Sequence, residues 1–215
     1  MAKMQKTLLV VAGVPAVGKS TLLFSCLKGG IKLFGDQLDP LFQSFTAYEH
    51  PSQDKDRSRS ADALLQGNHW LNDRHLQKMS IAEFGAGNRL IHLDLMARIR
   101  LNSNSLSFWC DPSKDSDFFA TCFANEVSDF FEPFDVVAVN TVYAPIEECS
   151  ARFVKRRGNS SNIQTISGVY DPKNLSSALF ENVYAGWRMF LLNANVSQRY
   201  FTRWNGEKFT VKKVG

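Results

Sequence analysis

The stretch Gly13-Val14-Pro15-Ala16-Val17-Gly18-Lys19-Ser20-Thr21 constrains this chain more than any other. It has the form G-x-x-x-x-G-K-[ST]. Before it lies Thr7-Leu8-Leu9-Val10-Val11-Ala12, an apolar, β-branched run suited to a buried parallel strand. After it, Thr21 to Lys28 reads as a helix stopped by Gly29-Gly30. Strand, glycine turn and helix together suit a bound polyphosphate. Glycines let backbone N–H groups turn inward without a Cβ clash. The helix N-terminus adds unpaired donors and partial positive charge. Lys19 can place an ammonium on β- and γ-phosphates, and the Ser20 hydroxyl can ligate Mg²⁺. Thr21 supports the helix start. The alternative is an ordinary glycine-rich turn between strand and helix.

On these residues the chain resembles the P-loop NTPase superfamily, most fully over positions 1–30. Length is consistent with that: 215 residues suit one α/β domain, 1–215, and would be cramped as two. The formal charge of +4 fits an anionic ligand such as ATP without demanding nucleic acid. Cys26, Cys110, Cys122 and Cys149 form no C-x-x-C pair and read as reduced and intracellular. The basic start, Met1 to Lys6, imitates a signal peptide, but the apolar run behind it feeds the glycine turn. No apolar segment reaches transmembrane length, so the expected compartment is the cytoplasm.

Further along, Ile31 to Phe34 reads as a second strand and Gly35 to Pro40 as a turn. Leu41 to Tyr48 reads as a helix. His50 to Ser60 is polar and charged, a mobile loop or helix lead-in. Ala61 to Phe84 has helical spacing, with Leu64, Leu65, Leu71, Leu76 and Met79 as its stripe. Arg89 to Leu95 is a strand, and Asn102 to Ser116 a loop in which Leu106 to Cys110 can pair. Asp117 to Glu132 is a Phe-rich helix, and Phe134 to Asn140 a buried strand that extends toward Tyr143. Pro145 opens a helix from Ile146 to Arg157. Gly158 to Asn174 is a flexible loop and Leu175 to Asn193 the last helix. Gln198 to Val214 is a hairpin about Asn205-Gly206. The expected fold is therefore three-layer α/β: a mainly parallel sheet, helices on both faces, and a C-terminal β-hairpin.

Three further sites follow. Asp94 closes a strand, where ligands of parallel sheets gather. It can support Mg²⁺ through water, take a proton from an acceptor hydroxyl, or simply cap the next helix. Phe34-Gly35-Asp36-Gln37-Leu38-Asp39-Pro40 resembles the segment of small-molecule P-loop kinases that presents an acid to the acceptor, as in gluconate kinases. Asp36 leads Asp39 in that role, with Asx turns and a helix cap as the alternative. Tyr143 to Gly158 resembles the strand–Pro–helix–lid passage of nucleoside and small-molecule kinases. Arg152 and Arg156 share a helix face there, and a guanidinium can grip phosphate. The lid, 158–174, would exclude water. A basic helix end complementing the macrodipole is the alternative. Asn72-Asp73-Arg74 is set aside because its setting reads as helix. Arg98 and Arg100 read as solvated charges, and His92 as a buried strand residue. His50, His69 and His75 lack metal-ligand spacing.

No N-K-x-D or L-S-G-G-Q stretch occurs, which disfavours GTPase and ABC-ATPase readings. The resemblance is to the nucleoside and small-molecule kinase branch. It implies transfer of the γ-phosphoryl of ATP, with Mg²⁺, to a sugar, polyol, nucleoside or related metabolite. The alternatives are a nucleotide-binding regulatory module, a sulfotransferase-like enzyme and a nucleic-acid end kinase. The last lacks a broad basic track beyond Lys155-Arg156-Arg157 and Lys212-Lys213.

Overall fold

A computed structural model describes residues 5–40, 70–72, 80–96, 99–102, 105–108, 113–158 and 176–215. Among them, the sheet-forming strands are β1 (Thr7–Gly13), β2 (Trp70–Asn72), β3 (Arg89–Asp94), β6 (Val136–Tyr143), β7 (Gln198–Trp204) and β8 (Phe209–Val214). A separate small hairpin is made by β4 (Ile99–Asn102) and β5 (Ser105–Phe108). The helices are α1 (Lys19–Leu27), α2 (Ile81–Phe84), α3 (Ser116–Phe131), α4 (Ile146–Gly158) and α5 (Ser177–Asn193).

The six-stranded sheet runs β2-β3-β1-β6-β7-β8. Every pair through β7 is parallel, and β8 adds an antiparallel edge. Parallel strands need both faces covered, which is why their sequences run apolar without alternation. All seven residues of β1 are buried, and β6 is buried from Val137 to Val142. The fold is thus α/β with a mainly parallel sheet, and the C-terminal hairpin forms about Asn205-Gly206 as expected.

Helix boundaries follow the caps. Asp115 accepts the Phe118 N–H at 3.1 Å and starts α3. Ser176 does the same for Leu179 at 3.1 Å and starts α5. Along α3, Phe119, Phe123, Val127 and Phe131 recur every four residues and are buried. They meet α5, where Phe123 lies 5.1 Å from Trp187 and Phe131 lies 5.8 Å from Phe190, centroid to centroid. Each such ring contributes about 1.5–3 kcal/mol by burial.

Two expected elements are corrected. Residues 31–34 are not a strand. The Asp39 carboxylate accepts the N–H groups of Leu33 (3.2 Å) and Phe34 (2.8 Å), which a strand would offer to a neighbour. The side-chain amide of buried Asn140 donates to the Leu33 carbonyl at 2.7 Å. Nor is 61–84 one helix. Trp70, Leu71 and Asn72 pair in parallel with Leu90, Ile91 and His92, and the only helical piece among the described residues of that span is α2. A capping box, Ser80 with Glu83, starts α2 independently. The expected loop after Asn102 is partly the β4–β5 hairpin. The segments 41–60 and 159–175, including most of the expected lid, lie outside the described residues.

Candidate functional site

The glycine turn sits where β1 ends, at the carboxyl edge of the sheet. Register places Gly13 directly beside Asp94 of β3, and the Leu95 N–H donates to the Gly13 carbonyl at 3.1 Å. Gly13 is glycine for space: a Cβ there would stand 2.7 Å from the Val142 carbonyl oxygen. Farther round the turn the backbone becomes left-handed. Gly18 has φ 112°, and Ala16 has φ 58°, unusual for a residue with a side chain. The turn holds this shape because α1 begins at once. Val14, Ala16 and Val17 are buried beneath it.

Lys19 is only 4% exposed, yet it carries a charge. Its ammonium donates to the carbonyls of Gly13 and Val14, both at 2.7 Å. A buried cation without such acceptors would be costly. The ammonium therefore lies inside the turn. Ser20 is half-buried in the first turn of α1, and Thr21 is exposed.

Two distant elements grip the same turn. From α5, the Tyr184 hydroxyl donates to the Val142 carbonyl at 2.7 Å and accepts the Val14 N–H at 3.3 Å. Burial pushes its phenol well above the usual tyrosine range. From α4, Arg152 Nη1 donates to the Val17 carbonyl at 3.0 Å, with Glu148 at 3.5 Å on its other side. Its guanidinium lies over the Trp204 ring, 4.8 Å from the centroid. Phe209 of β8 packs against Gly18, where an added Cβ would meet the ring at 2.8 Å. Cys149 feels both cations. Burial pushes its thiol up to about 11, while the charges of Arg152 and Lys19 pull the other way.

Of the expected residues, the structure brings Gly13 to Thr21, Asp94 and Arg152 together. Asp94 Oδ1 accepts the Met96 N–H at 3.0 Å. That is an Asx turn, and no helix starts at Leu95. Arg156 lies one turn farther along α4. Asp36 is the exception. α1 carries the chain away from the turn by about 13.5 Å, nine residues at 1.5 Å each. No strand among the described residues of 28–40 brings it back. Asp36 forms an exposed ion pair with Lys32, and its neighbour Gly35 approaches the Tyr200 hydroxyl, which bonds Gln198 at the start of β7. Asp39, the second acid of that segment, serves the backbone of 33–34, and burial raises its pKa.

Tyr184, Trp204, Phe209 and Cys149 carry no motif, and sequence reasoning misses them. Only the hairpin signal at Asn205-Gly206 hints that Trp204 and Phe209 stand opposite each other. Asn72 ends a strand beside His92, contrary to its helical setting in the sequence; Asp73 and Arg74 lie outside the described residues. Among the described residues, no three His, Cys, Asp or Glu side chains converge as a metal cage, and no helix is long and apolar enough to cross a membrane. No protein-family model matches the chain, and a search of curated proteins finds no match.

Proposed function

We propose that this chain is a P-loop phosphotransferase that moves the γ-phosphoryl group of ATP to a small-molecule acceptor with a hydroxyl or phosphate. One observation carries the reading: the buried Lys19 ammonium donates into a left-handed glycine turn whose Gly13 stands in register with Asp94 and whose Val17 carbonyl is held by Arg152. A buried cation held by two backbone carbonyls at the start of a helix suits an anionic polyphosphate better than a neutral ligand. The three-layer architecture belongs to the same reading and is supported by the burial of β1 and β6 on both sides.

The chain's own residues divide the work. Apart from the Val14 and Val17 N–H groups, which bond the Tyr184 hydroxyl and the Val14 carbonyl, the amides of the turn and of the first α1 turn donate to phosphate oxygens. Lys19 supplies charge at the β- and γ-phosphates as the transferred group loosens from its leaving oxygen. Arg152 adds positive field at the same turn. Asp94 orients the acceptor hydroxyl. The Ser20 hydroxyl and Asp94 carboxylate fit Mg²⁺, which favours a few protein oxygens completed by phosphate and water. When bound, Mg²⁺ would neutralise charge on the phosphate oxygens. Asp36 has no part in this scheme. Free thiols at Cys26, Cys122 and Cys149 are compatible with a reducing compartment such as the cytoplasm. The acceptor class is a sugar, polyol, nucleoside or similar metabolite.

The test is ADP release from MgATP across a library of such acceptors, with Lys19→Ala as control. At least one acceptor should stimulate ADP release, and the variant should lose about 100-fold or more in kcat/KM while keeping its circular dichroism. ATP binding with no acceptor-dependent turnover would favour a regulatory nucleotide-binding module. Absence of ATP binding would overturn the reading.

A further inference from the structure

We propose that the C-terminal hairpin is a clamp that sets the phosphate-binding turn, acting through Arg152 as a positioning residue. The proposal rests on the phosphotransferase reading only for its effect on nucleotide; the clamp itself concerns the turn's backbone. Arg152 does not stand free at the mouth of the site. Its Nη1 is committed to the Val17 carbonyl at 3.0 Å. The peptide from Val17 to Gly18 is trans and planar, so its N–H points opposite to its carbonyl. Fixing the carbonyl toward Arg152 therefore fixes the Gly18 N–H away from it. A donor whose direction is set before the ligand arrives needs no reorganisation when charge develops.

The hairpin holds Arg152 in that pose. Trp204 and Phe209 are the last cross-strand pair before the turn, and their rings lie 4.8 Å apart. The guanidinium stacks over both, at 4.8 Å from Trp204 and 5.9 Å from Phe209. Phe209 also closes on Gly18 directly. Hairpin, arginine and turn thus form one contact chain that joins the two ends of the sequence. The Trp204 indole N–H is buried and has no hydrogen-bond partner among the described residues. Its ring is therefore placed by its faces, and another aromatic ring can do the same work. A basic helix end that merely complements its own dipole would need none of these contacts.

Two measurements test the clamp. Amide hydrogen exchange of residues 14–20 is followed without nucleotide, and MgATP binding is followed by calorimetry. The variants are Arg152→Ala, Arg152→Lys, Trp204→Leu, Trp204→Phe and the double variant Arg152→Ala/Trp204→Leu. Arg152→Ala and Trp204→Leu should each speed exchange in the turn and weaken MgATP about tenfold. The double variant should be no worse than Arg152→Ala alone, because both break one chain. Trp204→Phe should restore near-normal behaviour, whereas Arg152→Lys, which keeps charge but not the planar fork, should not. Thermal melts identify any variant that fails to fold, and the Phe and Lys variants keep the test open in that case. Additive losses, or turn exchange unchanged in Trp204→Leu, would overturn the clamp. If the variants loosen the turn but the wild-type protein binds no MgATP, the clamp stands and the phosphotransferase reading falls.

Discussion

Ala16 holds a left-handed backbone, φ 58°, in the middle of the turn. For a residue with a Cβ this costs about 1–2 kcal/mol. Replacing it by glycine removes that strain but loosens the unfolded chain, at about 0.5–1 kcal/mol. Relief of strain outweighs the added freedom of the unfolded chain. Ala16→Gly should therefore stabilise by about 0.5–1 kcal/mol, read from the urea midpoint at constant slope. A loss of stability would show that the turn relaxes without the left-handed residue. Tyr184 offers a second test at this scale. Tyr184→Phe keeps the ring but strands the Val14 N–H and the Val142 carbonyl. Two buried groups lose their partner, and the expected cost is about 1–3 kcal/mol. An unchanged midpoint would mean that other partners take both groups.

At the scale of elements, the α3–α5 contact turns on Gly186. A Cβ there would meet Phe119 Cβ at 2.5 Å, the Ser116 carbonyl oxygen at 2.6 Å and the Ala120 nitrogen at 2.9 Å. Two of the three are backbone atoms, which cannot rotate aside. Alanine would gain up to about 1 kcal/mol in helix propensity. Forcing the helices apart costs about 1–3 kcal/mol. Gly186→Ala should therefore lower the melting temperature, against the sign propensity alone gives; a rise would mean the helices separate freely. The same contrast explains which elements can be read in advance. β1, β6, α3 and the β7–β8 hairpin declare themselves through local pattern: β-branched runs, a large apolar residue every four positions, Asn-Gly at a turn. Residues 31–34 imitate a strand because Leu33 and Phe34 are apolar, but the Asp39 carboxylate, six and five residues on, claims their amides. Trp70 to Asn72 is three residues of strand inside a helix-spaced run, too short for any periodicity to register. Within the site, Lys19 is legible from its motif. The bond from Arg152 to Val17 spans 135 positions and leaves no local trace.

For the whole molecule, buried acids that stay protonated make stability depend on alkaline pH. Burial, then the Asp39 charge, pushes the Cys26 thiol up to about 12, and burial pushes Cys149 up to about 11, from an ordinary value of 9.0. In the unfolded chain both thiols ionise near 9.0. Between that value and the folded ones the native state therefore holds more protons than the unfolded state. Stability is full below pH 9.0, falls as pH rises, and stops responding to Cys149 near about 11 and to Cys26 near about 12. Tyr184, raised by burial, adds to the decline above its ordinary 10.0. Each group contributes up to about 1.4 kcal/mol per pH unit within its window. Urea unfolding from about pH 7 to about pH 10.5 should show a plateau and then this decline. Cys149→Ala lowers the plateau through its small cavity, yet it should flatten the slope above about pH 9 by about 1.4 kcal/mol per unit. Because that slope depends on proton count and not on packing, a Cys149→Ala curve running parallel to the wild type would mean that the native thiol ionises as freely as the unfolded one. Lys19 and Arg152 would then dominate burial at this position, and the turn would be more electropositive than its packing implies.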